Sequence, residues 1–348
     1  MSNEHANPLV SIVILNYNAG DLLLNCVESV FKTKYDDFEV IVVDNASKDG
    51  SHNKCKEKFG KICLIENKEN LGYCEGNNVG IRQARGGFIV ILNPDTIVSP
   101  EWLKELLAAY NTVGEGLYQP KILSLDESRI LQSTGNMLHL FGFGYSRDKG
   151  SVDTNQCNKP EQIGYSSGTC LFTSLNLINR IGLFDPFLFL YHDDLDLGWR
   201  AAHLGIKSYY APSSIVYHKG SYNLKWSAQK FFWLERNRHY CLLTHYSKST
   251  FYKILPSLII VEIMVNFFYL YKGFIKMKIK AYIDIIKNAK HISKKYHELE
   301  NKKIIPDAEL IKIFPDYIFI PEEISHSIIN KIFNFVFSNL SKITKRFI

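Results

Sequence analysis

The sequence predicts an α/β domain built on a mixed, mostly parallel sheet, followed by a helical region. Three observations carry this expectation. Strand-like apolar runs alternate with amphipathic helical segments in the first third of the chain, and oxygen-bearing residues cluster where those runs end. After about Tyr246 the composition changes to long segments rich in Lys, Ile and Phe.

Residues 10–15 and 40–43 are rich in β-branched side chains and read as strands. Between them, residues 21–31 place apolar positions at helical spacing behind Asp21, the expected N-cap. Residues 62–65 read as a further strand, 77–84 as a helix, 88–92 as a strand, and 100–110 as a helix opening on Ser99 and Pro100. This βαβαβ succession implies parallel strands whose carboxyl ends share one edge, where open α/β sheets bind their ligands. From Gly116 to Tyr165 the pattern loosens into polar and glycine-rich pieces, expected as loops or a small antiparallel addition. Residues 171–174 and 206–210 are later strands and 194–204 a helix. A boundary at Tyr246 divides a domain over residues 1–246 from a basic, amphipathic helical region over residues 247–348.

The net charge of +6 sits in one place. Residues 272–303 hold ten Lys against Asp284, Glu298 and Glu300, so the rest of the chain sums to about −1. A main domain without excess positive charge argues against a nucleic-acid partner. The seven cysteines form no C-x-x-C pair, so neither a zinc site nor a disulfide framework is expected, and a reducing compartment fits. The polar start of the chain and the short apolar run after it lack the pattern of a signal peptide. A cytoplasmic location is therefore expected.

Asn93-Pro94-Asp95 closes the apolar run that begins at Phe88. Hard divalent cations take oxygen ligands of this kind together with phosphate, although the same residues also make ordinary turns. Asp44 ends the second strand, where a carboxylate either accepts the imide N–H of a uracil or thymine ring or closes an Asx turn. The stretch from Asn70 to Arg82 brings Asn70, Gly72 and Asn77 to the approach of a helix. There the backbone can come close to a nucleotide, with Arg82 facing its diphosphate. No G-x-G-x-x-G follows the first strand and no P-loop is present, which disfavours a hydride-transfer fold. The densest acidic cluster, Asp193, Asp194 and Asp196, needs a compensating cation or raised pKa values. Its apolar neighbours point to a cleft holding a general base, against the alternative of solvated acids at a helix start. His218 ends another apolar run; it is either structural or a partner of Asp95 on a metal, where imidazole favours Mn²⁺ over Mg²⁺.

Taken in order, these pieces resemble the inverting GT-A-fold glycosyltransferases of the large family 2 type, especially rhamnosyltransferase-like members. The likeness covers residues 9–246. It runs through Asn16-Tyr-Asn18, Asp44-Asn-Ala-Ser, Asn70-Leu-Gly72, Asn93-Pro-Asp95, Gly168-Thr, Gly182-Leu-Phe-Asp185, His192-Asp-Asp194 and His218-Lys-Gly-Ser. The resemblance implies transfer of a sugar from a nucleotide-diphospho-sugar, UDP- or dTDP-linked rather than GDP-linked. It also implies an acceptor hydroxyl on a glycan or lipid-linked glycan in cell-surface polysaccharide synthesis. By the same resemblance Asp44 contacts the base, and Asp95, with Asn93 near it, holds Mg²⁺ or Mn²⁺ on the diphosphate. Asp194, the second acid of the pair with Asp193, deprotonates the acceptor, Asp196 is a rival base, and His218 joins the metal. Asn93 stands where many members carry Asp, Asp193 where Glu is usual, and Thr173 and Ser174 where arginine is common. A non-catalytic nucleotide- or glycan-binding module, or a scaffold of a glycan-assembly complex, is the competing expectation.

Residues 254–271 are mostly apolar but include Pro256, Glu262 and Asn266. A central carboxylate costs on the order of 2.5 kcal/mol on insertion scales, so a buried or interfacial helix is expected rather than a span. With the Lys-rich stretch and an amphipathic segment over 322–347, it suits peripheral contact with the cytoplasmic face of an anionic membrane. Packing on the main domain, or a homodimer contact, is the competing reading.

Overall fold

The computed structural model describes residues 7–220, 227–320 and 327–348 and places ten strands in one sheet. The first apolar run becomes β1 (Val10–Asn16), every residue of which is buried, as befits a strand covered on both faces. There follow α1 (Asp21–Phe31), β2 (Phe38–Asp44), α2 (Ser51–Lys58), β3 (Cys63–Glu66), α3 (Gly72–Gln83) and β4 (Phe88–Leu92). These strands pair in parallel in the order β3-β2-β1-β4, as the alternation implies. Next come β5 (Thr96–Val98), α4 (Trp102–Val113), β6 (Leu117–Ser124), β7 (Leu131–Ser133), the antiparallel pair β8 (Asn136–Leu138) and β9 (Gly144–Ser146), and β10 (Glu161–Ile163). Then β11 (Cys170–Ser174), α5 (Leu175–Ile181), α6 (Asp193–His203) and β12 (Ser208–His218) complete the sheet region. β11 runs antiparallel between β4 and β6, and β12 lies parallel to β6. The sheet is mixed and mostly parallel at its centre.

The period of two along β1 sets the layers. Val10, Ile12 and Ile14 pack with α1 and α4 on one face, while Val13 and Leu15 pack with α3 and α5 on the other.

Four local features differ from the sequence reading, each for a physical reason. Gly20, at φ 56°, precedes α1, and Asp21 is its first residue rather than its cap. The helix α2 is polar along most of its length and buries only Ser51, His52 and Cys55, so its sequence reads as a turn. β6 carries Pro120, a residue that cannot donate to a ladder. Its partner β12 shifts register there, between Ala211 and Ile215, and so joins two apolar runs into one strand. α3 begins at Gly72 instead of Asn77, because the amides of Tyr73 and Cys74 find the carbonyl oxygen of Phe189 at 2.7 and 3.3 Å. That satisfies N–H groups which a helix start otherwise leaves open.

The chain continues as α7 (Ala228–His245), α8 (Lys248–Tyr271), α9 (Ile275–Lys287), α10 (Ala289–Glu300), α11 (Asp307–Ile313) and α12 (Ser327–Lys345). One apolar cluster extends from the sheet through Leu195, Tyr240, Val261 and Ile311 to Phe337. The composition changes at Tyr246, but the packing does not divide there. Among the described residues α8 alone is long and apolar enough to cross a membrane. It buries Ile254, Leu258, Val261, Val265 and Tyr269 along one stripe. Glu262, which interrupts its apolar run, pairs with the buried Arg238 and with Lys278 at 2.7 Å. All seven cysteines are free. Residues 322–326 of the second amphipathic segment, and Ser221 of the His218 motif, lie outside the described residues.

Candidate active site

A cleft of about 850 Å³ opens at the carboxyl ends of the parallel strands. Of the residues singled out in the sequence, Asn70, Gly72, Asn93, Asp95, Asp193, Asp194 and His218 line it.

Sheet pairing brings Asp95 and His218 together. β5 runs antiparallel to β12 with Thr96 opposite His218, and the Lys219 amide donates to the Asp95 carbonyl at 2.9 Å. The His218 Nε2 atom then stands 3.2 Å from the Asp95 Oδ2 atom. On its far side the ring Nδ1–H donates to the Gln132 Oε1 atom at 2.7 Å, while the Gln132 amide donates to the His218 carbonyl at 2.8 Å. Fixing the proton on Nδ1 leaves the Nε2 lone pair facing a carboxylate. Among the described residues the buried Asp95 Oδ1 atom has no hydrogen-bond partner. One carboxylate with an unpartnered oxygen, beside an imidazole lone pair, forms a donor set that fits a divalent cation.

The acidic pair sits at the start of α6, behind a segment with unusual backbone. Phe189, Tyr191 and His192 all have left-handed φ, at 62°, 69° and 60°, a conformation that costs energy at each such residue. Asp194 accepts the Gly168 amide at 3.0 Å and the Leu195 amide at 2.8 Å. Burial raises both carboxyls above the usual range, and repulsion from Asp194 pushes Asp193 further. Backbone N–H donors oppose that rise at both residues. The turn at Gly168 also accepts the Tyr73 hydroxyl at 2.6 Å, and Thr169 beside it accepts the Asn93 amide at 3.0 Å. One short turn thus touches both the Asp95 and the Asp194 sides of the cleft.

Four singled-out residues do not line it. Asp44 is buried behind the cleft, accepting Asn16 at 2.7 Å and the Ser47 amide at 2.9 Å in an Asx-type turn. Asn77 is fully buried in α3 and donates to the Tyr73 carbonyl at 2.9 Å. Arg82 lies in the last turn of α3, away from the cleft, and pairs with Glu75 at 2.7 Å. Asp196 points away from the acidic pair into the protein, held by Arg200 at 2.9 Å and His245 at 2.9 Å. Burial alone would raise its pKa, but Arg200 and His245 hold it below the usual carboxylate range. Helical spacing explains the divergence, since α6 turns Asp196 roughly 200° from Asp194.

Several contributors escaped the sequence reading. The Asn237 side-chain amide lies 3.0, 2.9 and 2.7 Å from the carbonyl oxygens of Leu188, Leu190 and Tyr191, and Arg236 donates to Phe187 at 2.7 Å and Leu188 at 2.8 Å. Trp233 stacks on Phe189 with ring centroids 5.1 Å apart and lines the cleft. All three residues belong to α7. For Arg236 and Asn237 the one signal in the sequence is the polar run Glu235-Arg-Asn-Arg-His239 inside a helix that otherwise packs with the core.

A mixed sheet with this strand order and strand-end acids around a single cleft defines the GT-A class of glycosyltransferase fold. The solved structure described as "GalNAc-T7 with UDP, GalNAc and Mn2+" aligns with a TM-score of 0.57 at 16% identity, over 73% of this chain and 52% of that one. Residues 11–179 match the model of Glycosyl transferase family 2, and this part of the chain is a family 2 glycosyltransferase domain. The N-acetylglucosaminyl-diphospho-decaprenol L-rhamnosyltransferase of Mycobacterium tuberculosis is 27% identical over 60% of this chain and 76% of its own length. The low-salt glycan biosynthesis hexosyltransferase Agl10 of Haloferax volcanii is 24% identical over 55% of this chain and 61% of its own. The chain thus spans under two thirds of Agl10 and about half of the solved structure.

Proposed function

We propose that the protein transfers a sugar from a nucleotide-diphospho-sugar to a hydroxyl of a glycan or lipid-linked glycan, with inversion at the anomeric carbon. The observation that carries this reading is one cleft in which Asp95 faces His218 through Oδ2 and, among the described residues, keeps a buried, partnerless Oδ1 on one side, with the Asp193–Asp194 carboxyl pair on the other. Asp95 and His218 would hold a divalent metal, Mg²⁺ or Mn²⁺, with Asn93 beside them. When bound, that ion neutralises charge on the diphosphate leaving group. GalNAc-T7, solved with Mn²⁺ and UDP, supports this assignment.

Asp194 takes the proton of the acceptor hydroxyl as its oxygen attacks the anomeric carbon, and the bond to the nucleoside diphosphate breaks. A single displacement with one carboxylate base and no second nucleophile inverts the centre. Asp193, whose carboxyl is pushed up by burial and by the neighbouring Asp194, limits the negative charge beside the base. The Asp44 turn forms the floor for the donor base, and UDP or dTDP is the proposed carrier. Exposed apolar side chains on α8 and α12, with the Lys-rich α9 and α10, seat the protein on the cytoplasmic face of an anionic membrane.

A panel of nucleotide-sugars incubated with Mg²⁺ or Mn²⁺ tests the reading by slow hydrolysis. Turnover that disappears in Asp95→Ala is the expected result. Binding without turnover under every metal condition sinks it in favour of a binding module.

A further inference from the structure

A second cavity, of about 360 Å³, opens beside the cleft. Side chains of α7, α8 and α12 make half of its wall, with Phe231, Val265, Phe268, Phe333 and Phe337 among them. The two spaces meet, because Gly144, Ser146, Lys149, His192 and Leu234 line both. His192 immediately precedes the acidic pair. Of the charged groups at the cavity floor, Arg238 pairs with Glu235 and Glu262, and Glu235 pairs with Lys278 at 2.6 Å. A floor so satisfied offers a sugar or nucleotide nothing to bind, whereas an apolar wall of this extent favours hydrocarbon. Lys149 stands exposed where the cavity and the cleft join.

We propose that this cavity takes the hydrocarbon chain of a lipid-linked acceptor, with its linking phosphate at Lys149 and its sugar hydroxyl toward Asp194. The inference rests on the transferase reading and, of its two acceptor classes, selects the lipid-linked one. Continuity with the cleft selects this occupant, since a chain seated here ends where the acceptor hydroxyl must be presented. Of these helices, α8 and α12 carry Phe267, Leu270, Ile332 and Phe335 exposed, so the remainder of a long chain leaves over apolar surface.

Full-length protein titrated with farnesyl diphosphate, and separately with inorganic diphosphate, tests this by tryptophan fluorescence. Farnesyl diphosphate is expected to bind at least about tenfold more tightly than inorganic diphosphate, and Val265→Phe, which narrows the cavity, to remove that advantage. Nucleotide-sugar hydrolysis by the same Val265→Phe sample is expected to stay near the unaltered level. Equal affinity for the two diphosphates, or an advantage untouched by Val265→Phe, overturns the proposal while hydrolysis persists. Because the substitution bears on α8 packing, a benzophenone-bearing farnesyl diphosphate is also photolysed on the unaltered protein. Label within residues 265–269 or 333–337 supports the site, and label confined elsewhere overturns it. Failure of the transferase reading shows separately, as unaltered protein that neither binds nor hydrolyses any nucleotide-sugar.

Discussion

Asn237 on α7 donates its side-chain amide to the carbonyl oxygen of Tyr191, 2.7 Å away, two residues before the acidic pair. Asn237 is fully buried, and Tyr191 lies in the left-handed region. A strained segment persists only where its surroundings over-determine it, and this amide, within reach of three carbonyls, is the main such restraint. The helix α7 therefore positions the proposed base. Replacing Asn237 by Ala leaves buried carbonyls unsatisfied, with an expected loss of about 1–3 kcal/mol in urea unfolding. Steady-state kinetics on the folded variant should show kcat falling while KM for the donor holds.

Asp95→Ala is expected to abolish metal-dependent turnover, because its oxygens are the anionic part of the donor set. His218→Ala, which keeps Asp95, should weaken Mn²⁺ binding more than Mg²⁺ binding, since imidazole prefers the softer ion. Calorimetric titration of each ion into both variants reads the difference; identical losses for the two metals would remove His218 from the set.

Asp194 and Asp196 are separable by their surroundings. Asp194→Asn should eliminate transfer yet bind the donor normally in a thermal-shift assay. Asp196→Ala strands a buried Arg200, and breaking such a pair costs about 3–5 kcal/mol. Its expected signature is a large fall in melting temperature, not a selective loss of turnover.

The same helix carries pH effects of opposite sign. Asp193 has a folded pKa raised above its unfolded value, so its contribution is complete below the ordinary carboxylate range and lost as pH rises through the folded pKa. Asp193→Asn should therefore stabilise the protein at neutral pH and have little effect in acid. Asp196 has a depressed pKa, so its contribution is present above the ordinary range and lost as pH falls. Transfer, needing ionised Asp194, should decline on the acid side below a pKa raised above the usual carboxylate value. Denaturant unfolding across a pH series, with a parallel rate profile, checks all three.

Gly72 has φ 75°, and a Cβ built there would lie 2.5 Å from the Phe189 ring and 2.6 Å from its carbonyl oxygen. Gly72→Ala should cost about 1–3 kcal/mol from the backbone alone and displace the Phe189 segment. A normal melting temperature with full activity would contradict the close approach.

Most of the fold was legible from local pattern. β-branched runs and helical spacing located β1, α1, β2, β4 and α6, because those elements bury one continuous stripe or both faces of a strand. α2 and β6 were not, since one buries little and the other contains Pro120, whose compensation lies in a register shift of a distant strand. In the cleft, Asn93, Asp95 and His218 announced themselves as polar residues ending apolar runs, and Asp194 as part of a dense acidic cluster. Asp196 belonged to the same cluster and Arg82 to the Asn- and Gly-rich approach to α3, and ion pairs with Arg200 and Glu75 turned them elsewhere.

The sequence by itself determined which strand ends carry oxygen and imidazole, because strand ends are set by local hydrophobic pattern. Tertiary structure alone decided that Asp95 faces His218, that Asp194 rather than Asp196 looks into the cleft, and that Asn237 holds the segment between them. Those relations depend on pairing between β5 and β12 and on α7 packing over a strained turn. Contacts between residues so far apart in the chain are chosen by the packing of the whole core, and no short stretch of sequence records them.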